Sequence, residues 1–316
     1  MKLYIIGNGF DLYHRLPSSY FDFKAFIKEN DTYLYEKIDR YLNYNGDFWY
    51  AFEDNLRNIN EEYLIDDAMQ HYTPYRVGDW SEWNHENYES MIELSTIHLN
   101  SNLKLDLAKW ALQLNKFPLS IRHLNLFQDS LFVTFNYTNT LERHYDIEET
   151  RILYIHGKVC DENSELIYGH SLSKSDADFD LETVQEQIDK DERSGLFYRS
   201  IGEDNRIEKS IEIIKLFYHY TRKPIEKIIN KNELFFNQFD NIDEVIIIGH
   251  SLSKVDMPYI EEISKKIKPD SKWIVFYYNK NDILYHIKVL NNIGILTKNI
   301  FNLDIDPSRP IQTSFI

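Results

Sequence analysis

Two polar side chains directly follow short apolar runs, and both have the chemistry that a hydrolytic site needs. Asn136 follows the run Leu131–Phe135, and His156, itself followed by a glycine, follows the run Ile152–Ile155. An imidazole titrates near neutral pH and serves as a general base, while an amide hydrogen-bonds a sugar hydroxyl or holds a water molecule. Each residue also has a structural interpretation: an Asn after a strand caps the next helix, and a His in this position closes a loop.

The turn Gly7-Asn8-Gly9 is a third candidate, because it follows an apolar run and precedes Asp11. Glycines let a backbone approach a phosphate closely, and a helix that begins there offers N–H groups to an anion. Asn8 and Asp11 are polar where a dinucleotide loop is often small or apolar, so both are candidates to face a ligand. Asp11 has an equally good interpretation as a residue that fixes the loop. The alternative for the whole turn is a tight strand–helix connection that binds nothing.

The six residues Gly-His-Ser-Leu-Ser-Lys occur twice, at 169–174 and 249–254, each time after an apolar run. An aspartate follows two residues after each copy, at Asp176 and Asp256. The flanking segments do not match, so the two copies do not indicate a repeat fold. The simplest interpretation is that two strand–turn junctions use glycine for the turn and serine to cap a helix.

The second copy also approaches the Gly-x-Ser-x-Gly turn of serine hydrolases, with Ser251 as the nucleophile. Two features count against this hypothesis. The closing glycine is Ser253, and the acid and base candidates Asp282 and His286 lie four residues apart on a predicted helix. A serine hydrolase is therefore the weaker alternative.

The elements that must position these residues are short, nearly continuous apolar runs separated by helical stretches. Such runs are typical of strands that are buried on both faces of a parallel sheet, in a protein of the α/β class. Open α/β sheets bind their ligands at the carboxyl ends of the strands, where all these polar residues lie. The predicted strands are Leu3–Ile6, Leu131–Phe135, Ile152–Ile155, Leu166–Tyr168, Val245–Ile248 and Trp273–Tyr278.

Two long insertions between these strands have helical periodicity, with apolar residues spaced three and four apart. We therefore predict an α/β domain made of residues 1–19, 127–177 and 241–316. A helical lobe is predicted from residues 20–126 and 178–240.

Composition limits the classes of partner. The chain carries 51 acidic against 35 basic residues, a net charge of −16, which argues against broad binding to nucleic acid. No stretch approaches the roughly 20 apolar residues of a membrane span. The sequence begins with a strand rather than a secretory signal, and its one cysteine, Cys160, excludes an intrachain disulfide. We expect a cytoplasmic protein without membrane attachment.

Five segments, taken together, carry a resemblance to a known family. They are IIGNGFDLYHRLPSSYFDF from residue 5, FWYAFEDNL (48–56), FVTFNYTNTLE (132–142), YIHGKV (154–159) and IIIGHSLSKVDMPYI (246–260). In this order they resemble the AbiH family of bacterial phage abortive-infection proteins over almost the whole chain, with Arg15 standing where such proteins more often have glycine. This resemblance implies a role in antiviral defence, with a phage or host protein as the trigger.

More distantly, the order of the motifs is similar to sirtuins and SIR2-like NAD-binding proteins, which implies a Rossmann-like central sheet. Their Gly-Ala-Gly loop resembles residues 7–9, and their Thr-Gln-Asn-x-Asp resembles residues 134–138, here without the aspartate. Their catalytic His-Gly resembles His156-Gly157. Their Gly-Thr-Ser-Leu motif resembles residues 249–252, and their later Asn resembles Asn279.

The resemblance also implies roles for the matching residues, with NAD as the ligand or substrate. His156 would be the general base, and Asn136 would hold the ribose or the water. The diphosphate would lie on the backbone N–H groups of Gly7, Asn8 and Gly9. Contacts to the ribose at the adenosine end would come from the segment that begins at Gly249, through Ser251, and from Asn279. Asp11 and Asp256 would bind a hydroxyl or fix the loops.

The absence of a zinc module from the sequence distinguishes between sirtuin deacetylases and SIR2-like defence proteins. Sirtuin deacetylases carry a four-cysteine zinc module after the His-Gly strand, whereas here about eight residues, Val159 to Leu166, contain only Cys160. Protein deacetylation is therefore excluded as the main hypothesis, and no metal is expected. SIR2-like defence proteins that consume NAD lack the module too, and they often assemble, which favours a homo-oligomer.

Three hypotheses remain. The first is hydrolysis of the nicotinamide–ribose bond of NAD. The second is a non-catalytic nucleotide sensor whose helical lobe contacts other proteins; the missing aspartate of the second motif favours it. The third is a nuclease, for which Asp11, Asp176 and Asp256 are the only carboxylates at strand ends that could hold a metal ion.

Overall fold

The computed structural model describes residues 1–43, 46, 48–69, 82–120, 122–171 and 206–305. Within these ranges the chain forms one parallel sheet together with many helices. The strands are β1 (Lys2–Ile6), β2 (Leu131–Thr134), β3 (Ile152–Tyr154), β4 (Glu244–Ile248), β5 (Lys272–Tyr277) and β6 (Ile300–Asp304).

The helices follow the strands and fill both insertions. They are α1 (Asn8–Tyr13), α2 (Tyr20–Asn30), α3 (Thr32–Tyr41), α4 (Phe52–Asn55), α5 (Glu61–Met69), α6 (Glu82–Leu114), α7 (Thr140–Tyr145), α8 (Arg206–Tyr220), α9 (Ile225–Lys231), α10 (Glu233–Phe236), α11 (Met257–Lys266) and α12 (Asp282–Asn292). Short 3₁₀ turns occur at Phe48–Ala51, Glu149–Arg151, Phe239–Asn241 and Thr297–Asn299.

The sheet order is β3-β2-β1-β4-β5-β6, and every neighbouring pair is parallel. The chain builds outward from β1 to β3 on one side, then returns and builds outward from β4 to β6 on the other. The point where the direction reverses lies between β1 and β4. This is the strand order of dinucleotide-binding Rossmann folds, so the predicted α/β, Rossmann-like class is confirmed.

Side chains alternate between two apolar clusters along the central strands, which explains why these strands are nearly all hydrophobic. Leu3 and Ile5 of β1 face one cluster, which α9 to α12 cover, and Tyr4 and Ile6 face the other, which α1 and α7 cover. Both faces of the sheet are therefore shielded from water.

The structure differs from the predicted strands in two places. Residues 166–168 are extended but form no strand; Ile167 N–H donates to the carbonyl of His156 at 2.8 Å, past the end of β3. The search for apolar runs also misses β6, where only Ile300 is buried and Phe301 is 45% exposed, so the strand lacks the continuous apolar run of the others. The other five strands match the prediction to within one residue at each end.

The chain divides into two compact units. One comprises Met1–Phe23, Leu107–Ile167 and Pro224–Ile316 and contains the sheet; the other comprises Lys24–Asp106 and Tyr168–Lys223. In the second unit, the Arg40 guanidinium and the Tyr41 hydroxyl on α3 both donate to the carboxylate of Asp67 on α5. No helix among the described residues is both long enough and apolar enough to cross a membrane.

Candidate functional site

The loops that follow β1 and β4 are in direct backbone contact. Gly7 N–H donates to the carbonyl of Ile248 at 3.0 Å, and Gly9 N–H donates to the carbonyl of Gly249 at 2.8 Å. A Cβ on Gly7 would lie 2.5 Å from His250 Cα, so only glycine allows this approach. The glycines thus have a packing role that needs no ligand. A diphosphate would have to replace these carbonyls to use the same two N–H groups, and its binding there stays a prediction.

Asp11 lies on α1 and is 1% exposed. Its carboxylate accepts hydrogen bonds from the hydroxyls of Thr138 at 2.6 Å and Thr140 at 2.7 Å, both beyond β2. Burial raises the pKa of Asp11 to about 6, while hydrogen bonds from Thr138, Thr140 and Asn136 oppose that shift. The geometry gives Asp11 a structural role, because both carboxylate oxygens hold the loop after β2 against α1.

Asn136 lies just after β2 and is 7% exposed. Its side-chain Nδ2 donates to the carbonyl of Gly7 at 3.1 Å, and its backbone N–H donates to the Thr134 hydroxyl at 3.1 Å. The amide therefore connects the loops after β1 and β2, at the carboxyl end of the sheet.

Asp256 lies between two histidines. Its Oδ1 is 3.4 Å from Nε2 of His156, which follows β3, and its Oδ2 is 3.7 Å from Nε2 of His250, which follows β4. The side chains of His156 and His250 are each 3% exposed and that of Asp256 is 10% exposed. We call these three residues the His–Asp–His cluster. His250 lies 94 residues and Asp256 lies 100 residues after His156 in the chain, so only the fold brings the three together.

Aromatic rings surround the cluster. The Phe135 ring lies 4.3 Å from that of His250 and 5.2 Å from that of His156, between centroids. Tyr259, on α11, lies 5.9 Å from both Phe135 and His156. Apolar surroundings strengthen the interaction of a carboxylate with an imidazole, because water does not screen the charges there.

The remaining predicted contacts are exposed. Asn8 donates from its side chain to the carbonyl of Ser18 at 2.7 Å, and Ser251 lies on the surface next to the buried His250. Asn279 follows β5, and its Oδ1 accepts from the N–H of Asn281 at 3.0 Å, which forms the turn into α12. Asn8, Ser251 and Asn279 thus lie after three adjacent strands, β1, β4 and β5, on the side of the sheet where α/β proteins bind ligands.

The two copies of Gly-His-Ser-Leu-Ser-Lys have different surroundings. In the first copy, a Cβ on Gly169 would lie 1.7 Å from the carbonyl oxygen of Thr221, and His170 N–H donates to that carbonyl at 3.0 Å. The ring of His170 hydrogen-bonds the carbonyl of Tyr218 at 2.9 Å, at the end of α8. The first copy thus fixes a helix end within its own unit. Residues 172–174 of that copy, and Asp176 after it, lie outside the described residues.

Among the described residues, no group of three or more His, Cys, Asp or Glu side chains is arranged to hold a metal ion. Asp11 has both oxygens engaged by threonines, and Asp256 is engaged by histidines. These contacts give the nuclease hypothesis no support from the described carboxylates.

Sequence analysis assigned no role to His250, although the residue lies within a noted motif. The available signal was its position at a strand end next to a glycine. His250 follows Gly249, whereas His156 precedes Gly157. Phe135 and Tyr259 had no signal at all, since an aromatic residue in a buried run or an amphipathic helix is usually core.

A protein-family model described as "Bacteriophage abortive infection AbiH" matches residues 3–277. The matched region contains β1 to β5, Asn136 and the whole His–Asp–His cluster, while Asn279 lies just beyond it. No curated protein and no solved structure gives a significant match to the chain.

Proposed function

The chain belongs to the AbiH family of bacteriophage abortive-infection proteins, and we propose that it acts there through a nucleotide site that cleaves NAD. The observation that carries this proposal is the 3.4 Å approach of His156 to Asp256 at the carboxyl end of the sheet. A carboxylate next to an imidazole orients the ring and stabilises the imidazolium that forms when the ring acts as a general base.

The strand order supports a dinucleotide as the ligand. In Rossmann folds the ligand lies across the carboxyl ends of the strands where the order reverses, which is here between β1 and β4. Exposed Asn8 and Ser251 follow these two strands, and Asn279 follows β5. We assign Asn8 to the diphosphate, because the N–H groups of Gly7 and Gly9 already donate to carbonyls, and we assign Ser251 and Asn279 to the ribose at the adenosine end.

The proposed reaction is hydrolysis of the bond between nicotinamide and ribose. The C1′–N bond breaks and its electron pair leaves with nicotinamide, while a water oxygen bonds to C1′ and gives ADP-ribose. His156 takes the proton of the water. Because its Nε2 faces Asp256, the basic nitrogen is Nδ1, and the carboxylate stabilises the imidazolium that forms. Asn136 would orient the water or a ribose hydroxyl through Oδ1.

The test is to incubate the purified protein with NAD and to measure nicotinamide release, alone and with extract from phage-infected or uninfected cells. We expect release by the wild type and a loss of about 100-fold or more in His156→Ala and Asn136→Ala. His123→Ala and Asn292→Ala, both at exposed positions, serve as matched controls that retain activity. Release that is unchanged in His156→Ala would contradict its role as the base.

A nucleotide sensor is the second candidate, and the burial of the cluster favours it. His156 is 2% exposed and the amide of Asn136 is engaged with Gly7. Calorimetric titration with NAD, ATP and ADP-ribose separates the two functions. Binding of NAD without nicotinamide release under any of the three conditions would support the sensor, and absence of nucleotide binding would overturn both.

A further inference from the structure

We propose that His250 is a positioning residue of the site and that it acts through Asp256, whose carboxylate it shares with His156. The inference rests on the proposed function, because it names the groups that orient the proposed base. Its main test measures the titration of the imidazoles themselves and does not depend on NAD cleavage.

The loop after β4 fixes which nitrogen of His250 carries the proton. The N–H of Leu252 donates to Nδ1 of His250 at 3.0 Å, so Nδ1 must be unprotonated there. In the neutral ring the proton then lies on Nε2, the atom that faces Asp256 Oδ2 at 3.7 Å. A backbone amide thus selects the tautomer whose N–H points at the carboxylate.

The same loop places Asp256. Leu252 has φ of +51° and is fully buried, which folds the segment back so that Asp256 directly precedes α11. The backbone N–H of Asp256 donates to the carbonyl of Ser253 at 3.1 Å, and the Ser253 hydroxyl lies 3.4 Å from Oδ2. One carboxylate oxygen therefore faces His250 and Ser253, and the other faces His156.

The titratable groups around the shared carboxylate come from four elements. His156 follows β3, His250 follows β4, Tyr137 follows β2, and Tyr259 lies on α11; Phe135 fills the space between the two imidazole rings. The two imidazoles thus lie on opposite oxygens of one carboxylate, so its charge acts on both rings.

This arrangement has a direct consequence for the base. When His156 accepts a proton on Nδ1, the positive charge forms next to Asp256 Oδ1, and no proton moves to the carboxylate. His250 directs its Nε2–H at Oδ2 from 3.7 Å, which is too long for a hydrogen bond, so the dipole of the ring acts on the carboxylate whose other oxygen faces His156. Neutral His250 thereby lowers the basicity of Asp256, so the proton stays on an imidazole.

The experiment is an NMR titration of the full-length protein with ¹⁵N-labelled histidine, which reports the tautomer and the pKa of each ring. We expect His250 in the Nε2–H form. Asp256→Asn should change the ring signals of both His156 and His250 in the same direction, because it removes the charge that both imidazoles face. His286, which lies on α12 and faces Asp282, is the internal control and should not shift.

Two substitutions of His250 distinguish an effect on the carboxylate of Asp256 from a role in packing alone. His250→Asn retains an acceptor for the N–H of Leu252 but loses the group that faces Asp256, and it should raise the pKa of His156. His250→Gln places an amide N–H near the Nε2 position and should leave the pKa of His156 closer to the wild-type value. If His250→Asn fails to fold, His250→Gln takes its place, and a His250 that does not respond to Asp256→Asn still overturns the proposal.

Two results would overturn the inference: a pKa of His250 that does not respond to Asp256→Asn, or a pKa of His156 that does not respond to His250→Asn. Where NAD cleavage is measurable, His250→Asn should also shift the pH profile of kcat and leave KM nearly unchanged. Failure of NAD cleavage in the wild type would count against the proposed reaction and leave the titration result intact.

Discussion

The N–H of Gly9 donates to the carbonyl of Gly249 across 2.8 Å, and this hydrogen bond joins the two halves of the sheet at the point where the strand order reverses. Gly249 has φ of +67°, and a Cβ there would lie 2.2 Å from the backbone nitrogen of Phe10. The contact is between two backbones, so no side chain can rotate away to make room.

Gly249→Ala should therefore destabilise the protein by about 3 kcal/mol or more, from both the strained backbone and the clash. Gly294→Ala is the matched control, because it has φ of +92° and no atom within 4 Å of its Cβ position. The control should cost only the backbone strain of about 1–2 kcal/mol. Denaturant unfolding measures both, and equal losses would contradict the close approach of the two loops.

Asp11 should make stability depend on pH. Burial raises its folded pKa to about 6 from 3.8, so the folded state binds its proton more tightly than the unfolded chain. Its contribution to the free energy of unfolding is complete below about pH 4 and is lost as the pH rises through 6, by up to about 3 kcal/mol. Asp11→Asn does not titrate, so its stability relative to wild type should rise between pH 4 and 7.

The control for this pH dependence is Asp129→Asn, at a fully exposed position. Its stability relative to wild type should be flat over the same range. A flat difference for Asp11→Asn, measured by denaturant unfolding at each pH, would show that the Asp11 carboxyl is not desolvated in the folded protein.

Tyr145 carries a short hydrogen-bond chain. The carbonyl of Phe10 only accepts, so Nδ1 of His14 must donate to it at 2.7 Å, and Nε2 then accepts from the Tyr145 hydroxyl at 2.7 Å. The same hydroxyl accepts from the N–H of Leu124 at 3.0 Å. Burial is the main reason that the pKa of His14 falls to about 4, which keeps the ring neutral for this role.

Tyr145→Phe leaves a buried N–H and a buried ring nitrogen without a partner, so it should destabilise the protein by about 2–4 kcal/mol. Tyr137→Phe removes the hydrogen bond that the hydroxyl donates to the carbonyl of Ile167 and should cost about 1 kcal/mol. Thermal or denaturant unfolding checks the difference. A loss at Tyr145 no greater than that at Tyr137 would contradict the chain.

Lys223 and Glu53 form a buried ion pair in the second unit, with Lys223 Nζ 3.0 Å from the carboxylate of Glu53. The Lys223 side chain is 0% exposed and that of Glu53 is 13% exposed. Lys223→Met should cost about 3–5 kcal/mol because it leaves a buried carboxylate without its counter-charge. Adding Glu53→Leu to that variant should recover part of the loss. The exposed pair of Arg57 and Asp54 is the control, and Arg57→Met should cost less than about 1 kcal/mol.

The outcome for Lys223 is read from denaturant unfolding of the single and double variants. Stability that stays low when Glu53→Leu is added would mean that packing around the lysine stem, rather than the uncompensated charge, accounts for the loss.

Sequence patterns predicted the strands well where burial on both faces leaves a simple signature. β1 and β4 are apolar at nearly every position because each face of the sheet is covered, and such runs are visible without any contact information. The same criterion missed β6, which lies at an edge and is partly exposed. It also predicted a strand at residues 166–168, where buried extended chain forms no ladder.

The sequence by itself determined the α/β class, the polar residues that follow the strands, and the family. These properties depend on local periodicity and on motifs of a few residues. Strand order and the convergence of the motifs depended on tertiary structure. His156 and Asp256 are 100 residues apart, and no local preference requires them to meet. They meet because the carboxyl ends of β3 and β4 lie at the same edge of one parallel sheet, with only β2 and β1 between them. Leu252 then turns the loop after β4 back toward His156.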